Sequence, residues 1–203
     1  MRKLLFIIVP VSLLAIIGYT LNNDSRDQNY INKVADIRAE RIRFLKSSDQ
    51  SPFIQHDMKY GPLSFYPINE EYKVRANLER IGTPSRVQIS NSDGTKATYL
   101  KFAYAKFSLD DQPLKLLILK PTGFGVLPNT YFTAFADKTS GTETYGAGRY
   151  LDLEIGKSDN IIIDFNLAYN PYCAYTSKYT CPLPPTENLL PVSIMAGEKD
   201  YNY

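Results

Sequence analysis

Residues Lys73 to Lys120 read KVRANLERIGTPSRVQISNSDGTKATYLKFAYAKFSLDDQPLKLLILK, and this stretch decides the fold. Lys73–Arg80, Arg86–Ser90, Lys96–Leu109 and Pro113–Lys120 are runs rich in β-branched and aromatic residues, the composition of strands. Asn91-Ser92-Asp93-Gly94 is a hairpin signal and Asp110-Asp111 a second tight turn. Connections this short leave no room for crossover helices, so the strands must run antiparallel. Downstream, Tyr131–Ala136, Arg149–Ile155, Asn160–Phe165 and Leu190–Ala196 bring the expected set to about eight strands. A mainly β fold follows, an antiparallel β-barrel or sandwich, because such a meander buries its apolar face by closing or by pairing sheets.

Upstream the pattern changes. Leu4–Leu21 is 18 residues without a charge, preceded by Arg2 and Lys3. As a helix it would extend roughly 27 Å, close to the hydrocarbon thickness of a bilayer. The basic flank belongs in the cytoplasm, which directs the rest of the chain outward, to the periplasm or cell exterior. A cleaved signal peptide is the rival reading, but its small-residue cleavage pattern is matched poorly by Gly18-Tyr19-Thr20. No Cys follows the apolar run, so lipid attachment there is not supported. Residues 24–48 then read as an amphipathic N-terminal helix: Ser25 and Gln28 have capping-box spacing, and Ile31, Val34, Ala35, Ile42 and Leu45 share a face that Arg38 interrupts. The expected organisation is an anchor or signal peptide over 1–23, this helix, and a single β-rich domain over 49–203.

Charge narrows the partners. Outside the first 23 residues, 21 Lys+Arg face 21 Asp+Glu, and no basic run occurs. Nucleic-acid binders carry a basic excess, since neutralised phosphates supply most of their affinity, so nucleic acid is not expected. The chain has 16 Tyr and 10 Phe but a single His, His56, which weakens any mechanism needing paired histidines. No nucleotide loop or metal set is visible, and no cofactor is expected.

Two long motifs stand out. One is DKTSGTETYGAGRYLD, from Asp137 to Asp152; the other is DFNLAYNPYCAYTSKYTCPLPPTEN, from Asp164 to Asn188. Ala196-Gly197-Glu198 follows near the C-terminus. Together with Ser51-Pro52-Phe53 and Leu63–Pro67, these pieces resemble an uncharacterised bacterial and archaeal family, domain of unknown function 1684, over roughly residues 35–199. The resemblance implies membership and no particular activity.

Read on their own, the motif residues offer several chemistries. Gly146-Ala147-Gly148 ahead of Arg149 could present backbone N–H groups and a guanidinium to an anion. It could equally be a turn with Arg149 paired to an internal carboxylate. Glu143, Asp152, Asp164, Glu187 and Glu198 could supply an acid/base pair of the kind hydrolases use. Asp164 and Asn166 could instead cap backbone groups at a strand end. Tyr145, Tyr150, Tyr169, Tyr172, Tyr175 and Tyr179 could stack a sugar or peptide, or fill the core. Cys173 and Cys181 read first as a disulfide, which for a loop of this size contributes about 2.6 kcal/mol, with structural thiols, a metal or a nucleophile as rivals. The candidate binding set is therefore Glu143, Tyr145, Arg149, Asp164, Asn166, Tyr169, Asn170, Glu187, Asn188 and Glu198. The expected function is a membrane-held binding module for a small molecule, glycan or envelope protein. A carboxylate hydrolase and a structural envelope protein are the alternatives.

The anchor reading has a direct check. Intact-mass measurement of the protein extracted from membranes should return the full-length mass, and loss of the first 20 or so residues would identify a cleaved signal peptide.

Overall fold

The computed structural model describes residues 27–123 and 129–202. The expected anchor over 1–23 lies outside these residues. Among the described residues, no helix is long and apolar enough to cross a membrane. The chain forms two compact units, Met1–Glu40 and Arg41–Tyr203. The described part of the first is helical, and the helix α1 runs from 27 to 47, so its last turns belong to the second unit.

The second unit is built on six strands: β1 (Lys73–Ser90), β2 (Lys96–Leu109), β3 (Gln112–Pro121), β4 (Tyr131–Phe135), β5 (Arg149–Leu153) and β6 (Asn160–Asp164). They form one antiparallel sheet in the order β5-β4-β3-β2-β1-β6, an open half-barrel. The mainly β, antiparallel expectation holds, with an N-terminal helix. The closed barrel and the two-sheet sandwich do not.

Two corrections explain the difference. Lys73–Arg80 and Arg86–Ser90 are one strand, not two. Gly82 and Pro84, which punctuate the sequence, sit in an irregularity between Arg80 and Ser85 where the register against β2 shifts. A bulge absorbs residues that would otherwise end a strand. Leu190–Ala196 is not a strand at all. Leu190, Val192, Ile194 and Ala196 are buried while Leu189, Pro191, Ser193 and Met195 are exposed, so the period of two is real. That period records docking on a core, and a strand further requires a ladder.

The docked segment supplies the wall that a second sheet would have provided. Inward residues of the sheet, including Ala76, Leu78, Ala105, Phe107, Leu116 and Ile118, pack in one cluster with Phe165, Leu190, Val192 and Ile194. On the opposite face, Leu117 and Leu119 of β3 are also buried, with Ile89, Phe132 and Ala134. The apolar run Leu116–Leu119 is therefore covered on both sides, as expected for a central strand. Asp110 and Asp111, at φ 50° and 58°, join β2 to β3 in the left-handed conformations that a two-residue hairpin needs.

Gly148 sets the start of β5. At φ +85°, a Cβ there would lie 2.5 Å from the Phe135 carbonyl oxygen and 2.6 Å from Pro184 Cγ. Gly148→Ala should therefore lower unfolding free energy in urea by about 2–4 kcal/mol, combining backbone strain with overpacking. Gly146→Ala, whose Cβ would meet its nearest neighbour at 3.5 Å, should change it by less than about 0.5 kcal/mol.

Candidate functional site

Arg149 points into the protein. Its side chain is fully buried, with Nη2 2.8 Å from Asp137 Oδ2 and 2.9 Å from the Ile194 carbonyl. Nη1 donates to the carbonyls of Ala196 and Glu198, and the guanidinium lies over the Phe135 ring at 5.3 Å. Asp137 Oδ1 in turn accepts from the Thr139 N–H at 2.8 Å and the Ile194 N–H at 3.2 Å. The internal pairing is the geometry observed. Fully buried beneath the C-terminal segment, the guanidinium is closed to an anion from solvent unless that segment moves.

A second buried network gathers Asn170, Tyr175 and Glu198. The Glu198 carboxylate, wholly inaccessible to solvent, accepts from Tyr175 Oη at 2.6 Å, Asn170 N at 3.1 Å and Asn170 Nδ2 at 3.0 Å. Arg41 from the end of α1 approaches it at 3.5 Å, donates to the Asn170 carbonyl at 2.8 Å and stacks 4.1 Å over the Tyr169 ring. Aromatic packing seals the group: Phe53 meets Tyr175 at 5.3 Å and Tyr201 meets it at 5.1 Å. Phe53 is presented by the short helix α2 (Pro52–Gln55), whose cap Ser51 accepts the Phe53 N–H and donates to the Leu45 carbonyl at 2.5 Å. Desolvation pushes the Glu198 pKa up, partly offset by Arg41 and the Tyr175 hydroxyl. Nothing in the sequence marks Arg41 as the partner of Glu198, because 156 intervening positions carry no pairing signal.

Three further candidates serve backbone. Asn188 is buried and bonds Leu117 N (2.6 Å), Leu117 O (3.0 Å), Thr133 Oγ1 (2.9 Å) and the Ala134 carbonyl (2.8 Å), linking β3 to β4. Asn166 bonds both N–H and carbonyl of Asn69, at 3.0 and 2.7 Å. Asp164 caps the turn that follows it by accepting from Asn166 N at 3.0 Å. The remaining carboxylates each keep separate company. Glu143 faces Lys199 at 3.6 Å, Glu187 holds Lys101 at 2.9 Å and Tyr104 at 3.0 Å, and Asp152 accepts from Tyr169 Oη at 2.9 Å. Among the described residues, no group of His, Cys, Asp and Glu could hold a metal ion.

Tyr145 and the two cysteines do come together. Tyr145 Oη lies 3.4 Å from the Cys173 carbonyl and 3.8 Å from its sulfur, and the Cys173 N–H points at Cys181 Sγ, 3.2 Å away. The thiols are not bonded to each other.

The open concavity lies elsewhere. On the outer sheet face, segment 180–188 is bonded to Leu117 through Asn188 and to Lys101 and Tyr104 through Glu187. Beyond it the outward row Asn160, Asn77, Lys106 and Lys115 crosses β6, β1, β2 and β3 in register. With Arg75 and Ser108, this row lines a shallow depression of about 840 Å³. Lys106 pairs with Glu79 at 2.5 Å, whereas Arg75 and Lys115 form no ion pair among the described residues. The signal was present as outward positions within each strand, but it emerges only once the register aligns four adjacent strands.

Removing Arg41 should be costly. Arg41→Ala leaves the sealed Glu198 carboxylate without a cation and should lower stability by about 3–5 kcal/mol, against less than about 1 kcal/mol for Lys106→Ala at the surface. Because folding raises the Glu198 pKa, its contribution is complete below the ordinary carboxylate range and is lost as pH rises through the raised value. The stability difference between wild type and Glu198→Gln, followed by urea unfolding, should shrink from about pH 4 to pH 7.

Comparison with known proteins agrees with this architecture. The solution NMR structure of an uncharacterised protein of Haloarcula marismortui is similar, with 33% identity and a TM-score of 0.66, over 87% of this chain and 97% of that one. No curated protein matches the chain. A family model described as "Protein of unknown function (DUF1684)" matches residues 58–199. With that share of its length matched, and with the motif residues assembled as above, the chain belongs to the DUF1684 family.

Proposed function

We propose that this protein is a membrane-held, outward-facing binding module that takes an acidic glycan in the open depression on its sheet. One observation carries the reading: Arg75, Lys106 and Lys115 line one depression, where Glu79 pairs with Lys106 and Glu187 acts on Lys115 from beside Tyr104. Guanidinium and ammonium groups suit carboxylates, and the amides of Asn77 and Asn160 with the Ser108 hydroxyl suit sugar hydroxyls. A rigid sheet holds these groups in place, as binding requires. The apolar Leu4–Leu21 segment and its basic flank support the tether and the orientation.

The motif residues play a supporting part in this reading. Arg149 and Glu198 are sealed, and Asn166 and Asn188 hold backbone. A glycosidase-type carboxylate hydrolase needs two carboxylates flanking one scissile bond. Here Glu143, Asp152, Glu187 and Glu198 are held by separate partners.

The test is calorimetric titration of the full-length protein in detergent with a glucuronic acid oligosaccharide at low salt. Saturable binding is expected. Arg75→Ala and Lys115→Ala should each weaken it by about tenfold, as for the loss of one charge-assisted contact. Glu143→Gln should leave it unchanged. Absence of saturable binding, or binding indifferent to Arg75→Ala and Lys115→Ala, rules the groove out.

A further inference from the structure

We propose that Cys173 and Cys181 are a thiol–disulfide switch, in which the half-exposed Cys173 reacts with an oxidising disulfide and the buried Cys181 resolves the adduct. The inference stands apart from the glycan reading and rests on placement.

Cys173 sits in a single 3-10 turn, Tyr172–Ala174, and is part-exposed, while Cys181 is buried. The Cys173 N–H already points at Cys181 Sγ, 3.2 Å away. Their surroundings fix them separately. Cys181 is stitched to the β1–β2 turn, donating to Ser92 Oγ at 3.2 Å and accepting from Ser92 N at 2.9 Å. Cys173 is held by the Tyr145 hydroxyl. A bond between the sulfurs would thus tie the turn carrying Tyr145 and the 172–174 turn to the β1–β2 hairpin. Without it, only hydrogen bonds bridge them here.

The chemistry follows from the asymmetry. Hydrogen bonds from the Cys181 thiol and the Tyr145 hydroxyl stabilise the Cys173 thiolate and bring its pKa down to about 7. The same bond, with burial, drives Cys181 far up. Cys173 is then the nucleophile near neutral pH. Its thiolate attacks one sulfur of a low-molecular-weight disulfide, forms a mixed disulfide and releases one thiolate. Cys181 loses its proton, attacks the Cys173 sulfur and expels the second thiolate. Two protein thiols are oxidised to a disulfide, and the small disulfide is reduced to two thiols.

The probe is oxidised glutathione, applied to the reduced full-length protein, with intact mass and peptide mapping as readout. Wild type should form the internal disulfide and regain both thiols with dithiothreitol. Cys181→Ser should accumulate one glutathione on Cys173, and Cys173→Ser should stay unmodified. In wild type, which needs no variant to fold, iodoacetamide should label Cys173 before Cys181, at half-maximal rate near pH 7. The switch is overturned if wild type keeps both thiols after oxidised glutathione, if Cys173→Ser is modified as fast as Cys181→Ser, or if Cys181 is labelled first.

Discussion

A guanidinium shut away from water holds the second wall of the core. Arg149 leaves β5 and binds the Ile194, Ala196 and Glu198 carbonyls through its two terminal nitrogens, and Nη2 also pairs with Asp137. The segment 189–198 has no strand ladder of its own, so its inward-facing carbonyls need donors from elsewhere. One planar group with five N–H donors supplies several at once. Burying that charge is expensive, and the arrangement holds because Asp137 neutralises it and its hydrogen bonds are protein-made. With the segment in place, Leu190, Val192 and Ile194 close the inner face of an open sheet.

The same logic explains why the motifs look like chemistry and behave as architecture. A half-barrel covered by irregular chain has many backbone groups with no ladder partner. Asn166 serves both groups of Asn69, and Asn188 reaches four polar groups across β3 and β4. Primary amides carry donor and acceptor together, which makes them surrogates for a missing strand. Glu198, Asn170, Tyr175 and Arg41 do this at the junction of α1, the tyrosine-rich loop and the C-terminal residues. Polar residues in such numbers within a motif thus mark irregular backbone under burial.

The covering chain also decides where the protein stays open. Residues 187 and 188 are bonded to Leu117, Lys101 and Tyr104 on the outer face, and Arg75 and Lys115 line an open depression on the same face. Within a formally neutral domain, Arg75, Lys106 and Lys115 thus line one depression, while Glu187 is held by Lys101 and Tyr104.

The sequence by itself determined the local elements. Alternation in Lys73–Leu109 and Pro113–Lys120 and the turn residues at Asn91–Gly94 and Asp110–Asp111 specify an antiparallel meander, because side-chain period and turn dihedrals are properties of a few adjacent residues. Only the tertiary structure decided what lies between distant positions. The bulge that fuses Lys73–Arg80 with Arg86–Ser90 depends on pairing with β2. The burial period of Leu190–Ala196 is the same for a strand and for a docked segment, and the absence of a partner strand separates them. Arg149 was compatible with an exposed anion site or an internal ion pair until Asp137 and the C-terminal carbonyls were found around it. Burial and ion pairing depend on which remote residues arrive at a point in space, and that information is spread over the whole chain.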